Sequence, residues 1–370
     1  MAEKPKMAGI PEKIREIEEE ISKTKYNKRT QSHFAILKAQ IAQLKEKQMA
    51  RGRGKGKTEG YTVKKSGDAT AIIVGFPSVG KSTLLNDLTK QHSAVAAYAF
   101  TTLTCIPGML EHKGSKIQVL DVPGIIEGAA SGKGRGREVL SVAMSADLVM
   151  FVLDVFQVSQ YHVLMKEVRD FNLRLNEEQP DVRIKRKAKG GLSIGSTVKL
   201  TRIDLDAIKG ILHEFRIANA DVVIRTDIGP DQLIDAIEGN KRYVRGLVVV
   251  NKMDLVGPEE LERIRKEIPV DVFVSASEKI GIEELKDALF ERLGFIRVFC
   301  KKHGTRADLD VPLILRKGAT LKDMCDKLHR DFAGKLRYAK VWGSSKFPGQ
   351  EIRKLSYVVH DGDVVELMLS

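Results

Sequence analysis

The chain has 370 residues, 42% of them hydrophobic, and a mean hydropathy of -0.20, which suits a water-soluble globular protein of two or more compact units. No run of about 18 apolar residues occurs and the N-terminus is charged, which argues against a membrane span or secretion signal and for a cytoplasmic protein. The net charge of +13 is uneven, with +9 on residues 1–67, +6 on residues 295–370 and -2 between them, a polarity suited to a near-neutral enzymatic core carried by basic flanks to a polyanion, RNA above all.

In chain order, residues 10–48 form a predicted helical hairpin. Ile10, Ile14, Ile17 and Ile21, then Phe34, Leu37, Ile41 and Leu44, recur at three- and four-residue steps on either side of a polar break at 25–29. A hairpin this short is marginal alone, so residues 1–50 are expected to dock on the body of the protein or on a partner. Residues 51–57 alternate glycine with Arg51, Arg53, Lys55 and Lys57, and 51–67 reads as a basic linker suited to phosphate contact. From 68 to 294, apolar runs at 71–74, 116–122, 146–153, 247–250 and 270–274 are separated by helix-like segments, the pattern of a doubly wound, mostly parallel α/β domain.

About 90 residues separate the third and fourth runs, where one crossover helix with its loops needs about a third of that. Residues 163–240, with the basic run 183–189 and the turn at Gly190 and Gly191, are therefore assigned to an inserted α+β subdomain. Residues 295–370 bring a strand-like segment at 296–300, a capping-box helix entry at Thr320 and Asp323, and a closing hairpin that turns at Asp361 and Gly362. With no catalytic constellation, they read as a binding module. Cys105, Cys300 and Cys325 are far apart and show no metal or redox spacing, as expected of reduced thiols.

Residues 75–82 read G-F-P-S-V-G-K-S, the spacing of a phosphate-cradling P-loop between a strand and a helix. Gly75 and Gly80 permit torsions and close approach that turn backbone N–H groups toward phosphates, and Pro77, Ser78, Val79 and Thr83 complete the contact set. Lys81 is expected on the β- and γ-phosphates and the Ser82 hydroxyl on Mg2+. Asn251, Lys252 and Asp254 follow the run 247–250, where a doubly wound sheet presents its ligand loops. A carboxylate at Asp254 accepts from the N1 and N2 hydrogens of guanine together, a donor pair that adenine lacks. Lys252 lays its stem along the ring, and Asn251 ties its loop to the phosphate loop. Ser275, Ala276 and Ser277 follow the last run and offer a backbone N–H to the guanine carbonyl. Asp121 is expected to hold Mg2+ through water, and the Gly124 N–H to bond the γ-phosphate. Thr102, with Thr101 second, is assigned to sense that phosphate and to ligate Mg2+, so that Lys81, Thr102 and Gly124 carry the catalytic assignment.

These words, together with F-T-T-L at 100–103, D-V-P-G-I-I-E-G at 121–128 and G-K-G-R-G-R at 132–137, resemble those of the Obg-like GTPases. Over nearly its full length the chain resembles the developmentally regulated GTP-binding proteins. The resemblance implies an N-terminal helical hairpin, a GTPase domain with an insertion, and a C-terminal TGS domain of β-grasp type. It also implies Mg2+ dependence, slow intrinsic hydrolysis, stimulation by K+, association with ribosomes and translation, and, in eukaryotic relatives, a stabilising partner protein. Ile125 and Ile126 stand where Ras-like enzymes place a water-orienting glutamine, so slow turnover is expected. Ser78 stands where cation-activated relatives often place asparagine, leaving backbone carbonyls as ligands for K+. Arg135 or Arg137 as a cis arginine finger is weighed against a solvated or RNA-facing loop, the favoured reading. A GTP-gated scaffold that recruits proteins, with hydrolysis incidental, is the competing reading; an ATP-using kinase conflicts with Asp254.

Overall fold

A computed structural model describes residues 9–25, 27, 30–52, 66–89, 96–97, 104–124 and 136–369. Thr101, Thr102, Ile125, Ile126, Arg135 and most of the linker 51–67 lie outside the described residues. The chain divides into two compact units, one built from the N-terminal segment and Asn172–Tyr243, the other from Gly60–Phe171 and Val244–Ser370.

The larger unit is organised by a sheet whose neighbouring strands are, in order, Val272–Phe273, Arg242–Asn251, Leu148–Asp154, Ala69–Val74, Ser115–Asp121, Thr104–His112 and Ala96–Ala97. The first five are mutually parallel; Thr104–His112 is antiparallel to Ser115–Asp121, and Ala96–Ala97 is antiparallel to Thr104–His112. Ala69–Val74 and Leu148–Asp154 are buried at every position, as strands covered on both faces must be. The register pairs Ile73 with Asp121 and Asn251 with Asp154, so the strand ends that carry the sequence motifs are aligned along one edge. Helix Lys81–Thr89 covers one face with Leu84, Leu85 and Leu88, and helix Ile282–Arg292 adds Leu285 and Leu289, all in one apolar cluster with Val79.

The C-terminal module of this unit is a five-stranded mixed sheet, ordered Leu313–Arg316, Phe295–Cys300, Val364–Leu369, Leu336–Trp342 and Gln350–Ile352, with helix Leu321–Leu328 against it. The expected capping box is present: Thr320 Oγ1 accepts from Asp323 N and Thr320 N donates to Asp323 Oδ2 at 2.7 Å. The expected closing hairpin is not. Asp361 accepts from the backbone N–H and guanidinium of Arg297, and Val358 bridges to Thr320. The segment before Gly362 is thereby tied elsewhere, and Val364–Leu369 pairs parallel to Phe295–Cys300 and antiparallel to Leu336–Trp342.

The smaller unit shows the hairpin docked on the body, as expected, and moves the bounds of the insertion from the expected 163–240. Helix Gln160–Asp170 belongs to the larger unit, and the insertion runs from Asn172 to Tyr243. Its ends are stapled by a buried bidentate pair, with Arg174 Nε 2.6 Å and Nη2 2.8 Å from the carboxylate of Asp235. Helices Leu205–Glu214 and Pro230–Glu238 pack on strands Val182–Arg186, Ala220–Ile224 and Leu192–Ser196. The N-terminal hairpin shares this core. Helix Gln31–Gly52 buries Ala35 and Ala39 completely against Ile208, Ile211 and Leu212, and the helices approach so closely that a Cβ on Gly210 would sit 2.9 Å from Ile36. Lys38 pairs with Asp231 at 2.8 Å and Gln43 donates to the Glu214 carbonyl at 2.6 Å. The hairpin's own stripe also exists, with Ile14, Phe34 and Leu37 buried. Among the described residues no helix is long and apolar enough to cross a membrane.

Candidate nucleotide site

The site is assembled where the parallel strands end. Val79 is buried in the core and anchors the loop between Val74 and Lys81, while Pro77, Ser78, Ser82 and Thr83 are exposed. Ser78 has φ 66° and Gly80 φ 91°, left-handed torsions that turn successive amides inward to form an anion-binding concavity. Glycine is required at both ends of the loop. A Cβ on Gly75 would lie 2.4 Å from the Val152 carbonyl oxygen, and one on Gly80 2.3 Å from Asn251 Nδ2.

Lys81 is buried and donates to the loop's own carbonyls, Phe76 O at 2.8 Å and Gly75 O at 3.2 Å. Burial lowers its pKa from the ordinary lysine value, partly offset by the charge of Asp121. Ser82 Oγ donates to Asp121 Oδ2 at 2.5 Å. Burial raises the Asp121 pKa against the opposing effects of Ser82 and Lys81, and Asp121 Oδ1 is buried without a hydrogen-bond partner. Lys81 and Asp121 thus sit largely desolvated side by side, with Asp121 Oδ1 lacking a partner. Such a site is completed by an anion on Lys81 and a hard cation on Asp121 and Ser82. Gly124 abuts the loop, since a Cβ there would lie 2.8 Å from Pro77 N.

At the adjoining strand ends, Asn251 is buried and does the tying expected of it. Its Nδ2 donates to Val79 O at 2.9 Å and its Oδ1 accepts from Ala276 N at 3.1 Å. One side chain therefore fixes the phosphate loop to the Ser275, Ala276, Ser277 turn. That turn is closed by Ser275 Oγ, 3.1 Å from Ser277 Oγ and accepting from Glu278 N. Asp254 stands exposed on the short helix Met253–Leu255, and among the described residues no donor reaches its carboxylate.

Asp154 was not singled out in the sequence. It ends the apolar strand Leu148–Asp154, is buried, and accepts from Lys252 Nζ at 2.5 Å and from Phe156 N at 3.0 Å. Lys252 adopts φ 66°, so its direction is set both by the backbone and by this anchor. The signal that would have found Asp154 is an acid closing an apolar run at the ligand end of the sheet, the place Asp121 occupies in its own strand.

A phosphate loop at the head of a helix, an acid at the end of the neighbouring strand and an N-K-x-D turn locked to both define a P-loop GTPase. The sequence comparisons agree. A family described as 50S ribosome-binding GTPase matches residues 70–186, the C-terminal region of the same domain type matches 189–295, and the TGS domain matches 296–369. The chain is 53% identical over 98% of its length to a GTP-binding protein of Methanocaldococcus jannaschii, of which 93% is covered. It is 43% identical over 97% of its length to developmentally-regulated GTP-binding protein 2 of Homo sapiens, 99% covered. Developmentally-regulated G-protein 3 of Arabidopsis thaliana is 44% identical over 98% of this chain, also 99% covered. The chain belongs to the family of developmentally regulated GTP-binding proteins.

Proposed function

We propose that this protein is a Mg2+-dependent GTP-hydrolysing switch that docks on ribosomal RNA. The observation that carries the catalytic half is the Ser82–Asp121 contact beside Lys81, with Asp121 Oδ1 buried and unpartnered. The donors fit the metal. Mg2+ would be held by the Ser82 hydroxyl, by Asp121 through water, by the phosphates and by Thr102, the sparse oxygen set that this ion prefers. When bound, Mg2+ neutralises charge on the β- and γ-phosphate oxygens.

The chain's own residues do the rest. Lys81 exchanges its loop carbonyls for phosphate oxygens, and the amides from Ser78 to Thr83 cradle the phosphates. Gly124 and Thr102 report the γ-phosphate. Asp254 accepts from guanine N1 and N2, Lys252 lies along the ring, and the Ala276 region meets the guanine carbonyl. With Ile125 and Ile126 unable to orient water, basal turnover is slow and is raised by K+, held by loop carbonyls near Ser78, or by a stabilising partner protein. The basic N-terminal segment and the TGS domain supply docking charge, as the uneven distribution of Lys and Arg supports.

GTP and ATP turnover measured with Mg2+, in potassium and in sodium buffer, with and without ribosomal subunits, tests this. GTP-specific turnover lost in Lys81→Ala and raised by K+ or subunits is expected. Undiminished turnover in that variant rejects the site. Subunit binding that ignores salt rejects RNA docking in favour of the scaffold reading, because phosphate contacts weaken steeply with salt.

A further inference from the structure

Among the described residues, one face of the sheet of the inserted unit is exposed and has its own chemistry. Ala220–Ile224 is central, with Val182–Arg186 and Leu192–Ser196 as its edges. Side chains alternate across a sheet. Ile184, Val222 and Ile194 form one row turned to the helices, while Arg183, Val223 and Gly195 form the next row, and Lys185, Asp221 and Ser193 the one after it on the same open face. Arg183 and Lys185 are exposed and, among the described residues, meet no acid. The same holds for Lys189, in the connection crossing one end of the sheet, and Lys199, beyond the other end. The nearby acids are already taken, Asp221 by Lys187 at 2.6 Å and Asp181 by Arg225 at 3.2 Å.

Cations on an edge strand also discourage strand-to-strand aggregation, but that does not account for Gly195 on the opposite edge. Gly195 lacks a left-handed torsion, and a Cβ built on it meets nothing within 4 Å. Neither backbone nor packing requires glycine there, although a strand glycine costs about 0.5–1 kcal/mol relative to alanine. A strand glycine without an internal reason marks close approach of something from outside. The face is a floor of Gly195, Ser193 and the exposed Val223, with Asp221 at its centre neutralised by Lys187, walled on one edge by Arg183 and Lys185.

We propose that this face binds the sugar-phosphate backbone of RNA, with riboses against the Val223 and Gly195 floor and phosphates on Arg183, Lys185, Lys189 and Lys199. It rests on the RNA-docking part of the function proposed above but moves a principal contact from the basic flanks to the insertion. The test is fluorescence anisotropy of the full chain with a labelled RNA stem-loop of about 20 base pairs, titrated with salt. Arg183→Glu with Lys185→Glu should weaken binding at least tenfold and flatten the log–log salt slope by about 2, one unit per lost phosphate contact. Gly195→Val should melt at the same or a higher temperature, yet bind at least fivefold more weakly with an unchanged slope, since only access is lost. GTP turnover without RNA should stay at the wild-type rate in all variants. Wild-type RNA affinity and slope in these variants overturns the assignment while leaving RNA docking standing; a wild-type chain that binds no RNA sinks both.

Discussion

Replacing Asp154 by asparagine isolates the anchor of the base-contacting lysine. The amide keeps the oxygen that accepts from Phe156 N, but it loses the charge that holds Lys252 Nζ at 2.5 Å. A hydrogen bond between charged groups is worth about 1.5–3 kcal/mol. The Lys252 side chain is 34% exposed against 10% for Asp154, so water replaces part of that value and about 1–1.5 kcal/mol remains. Freed from its anchor, Lys252 must be ordered by the nucleotide itself. GDP and GTP affinity should therefore fall together, roughly five- to tenfold, while turnover at saturating GTP stays unchanged, because the phosphate end is untouched. Calorimetry and single-turnover kinetics read both quantities. The variant should also be silent in a Lys252→Met background, where the anchored group is already gone. A drop in saturated turnover, or losses that simply add in the double variant, would refute the reasoning.

Asp121→Asn should stabilise the nucleotide-free protein and abolish the extra stabilisation by GDP that depends on Mg2+. The pKa of Asp121 is raised by burial from its ordinary value of 3.8, so its ionised form costs stability above that interval and the cost vanishes as pH falls through it. The advantage of the variant should be larger at pH 7 than near pH 3.8, where both side chains are increasingly neutral; a Tm below wild type at pH 7 contradicts this. Asn251→Ala leaves Val79 O and Ala276 N without their buried partner, at about 1–3 kcal/mol each, and should lower both Tm and guanine-nucleotide affinity, with wild-type affinity counting against it. Gly80→Ala forces a Cβ to 2.3 Å from Asn251 Nδ2 at φ 91°. It should weaken GDP at least tenfold, and part of that loss should persist in an Asn251→Ala background, because the left-handed torsion strains alanine even when the clash is gone, as isothermal titration would show.

The candidate site was largely legible in the sequence because each part is a short word attached to a strand end, and a parallel sheet brings such ends together. Asn251 could be assigned its tie to the phosphate loop before its partners were known. What escaped depended on distant partners. Ala35 and Ala39 lie outside the stripe of larger apolar residues that marks their helix, yet they form its most deeply buried face because Ile208, Ile211 and Leu212 lie opposite. The start of the insertion was placed early because helix Gln160–Asp170 is the expected crossover after its strand, and no local signal separates it from the inserted unit that begins at Asn172. The turn signal at Asp361 and Gly362 is real, with Gly362 at φ 85°, but side-chain bonds from Asp361 to Arg297 decide where the preceding segment goes. Asp154 was invisible until Lys252 was seen to point at it.

The claim that the P-loop and the N-K-x-D turn enclose one guanine nucleotide is tested most directly by calorimetry of GDP, ADP and xanthosine diphosphate, with Mg2+, on the wild type and on Asp254→Asn. Asparagine donates to the second carbonyl of xanthine, where the carboxylate of Asp254 accepts from the amino group of guanine. Wild type should bind GDP alone, and the variant should exchange that preference for xanthosine diphosphate by at least tenfold. Equal binding of GDP and ADP by the wild type, or an Asp254→Asn variant that still prefers GDP, would contradict the account.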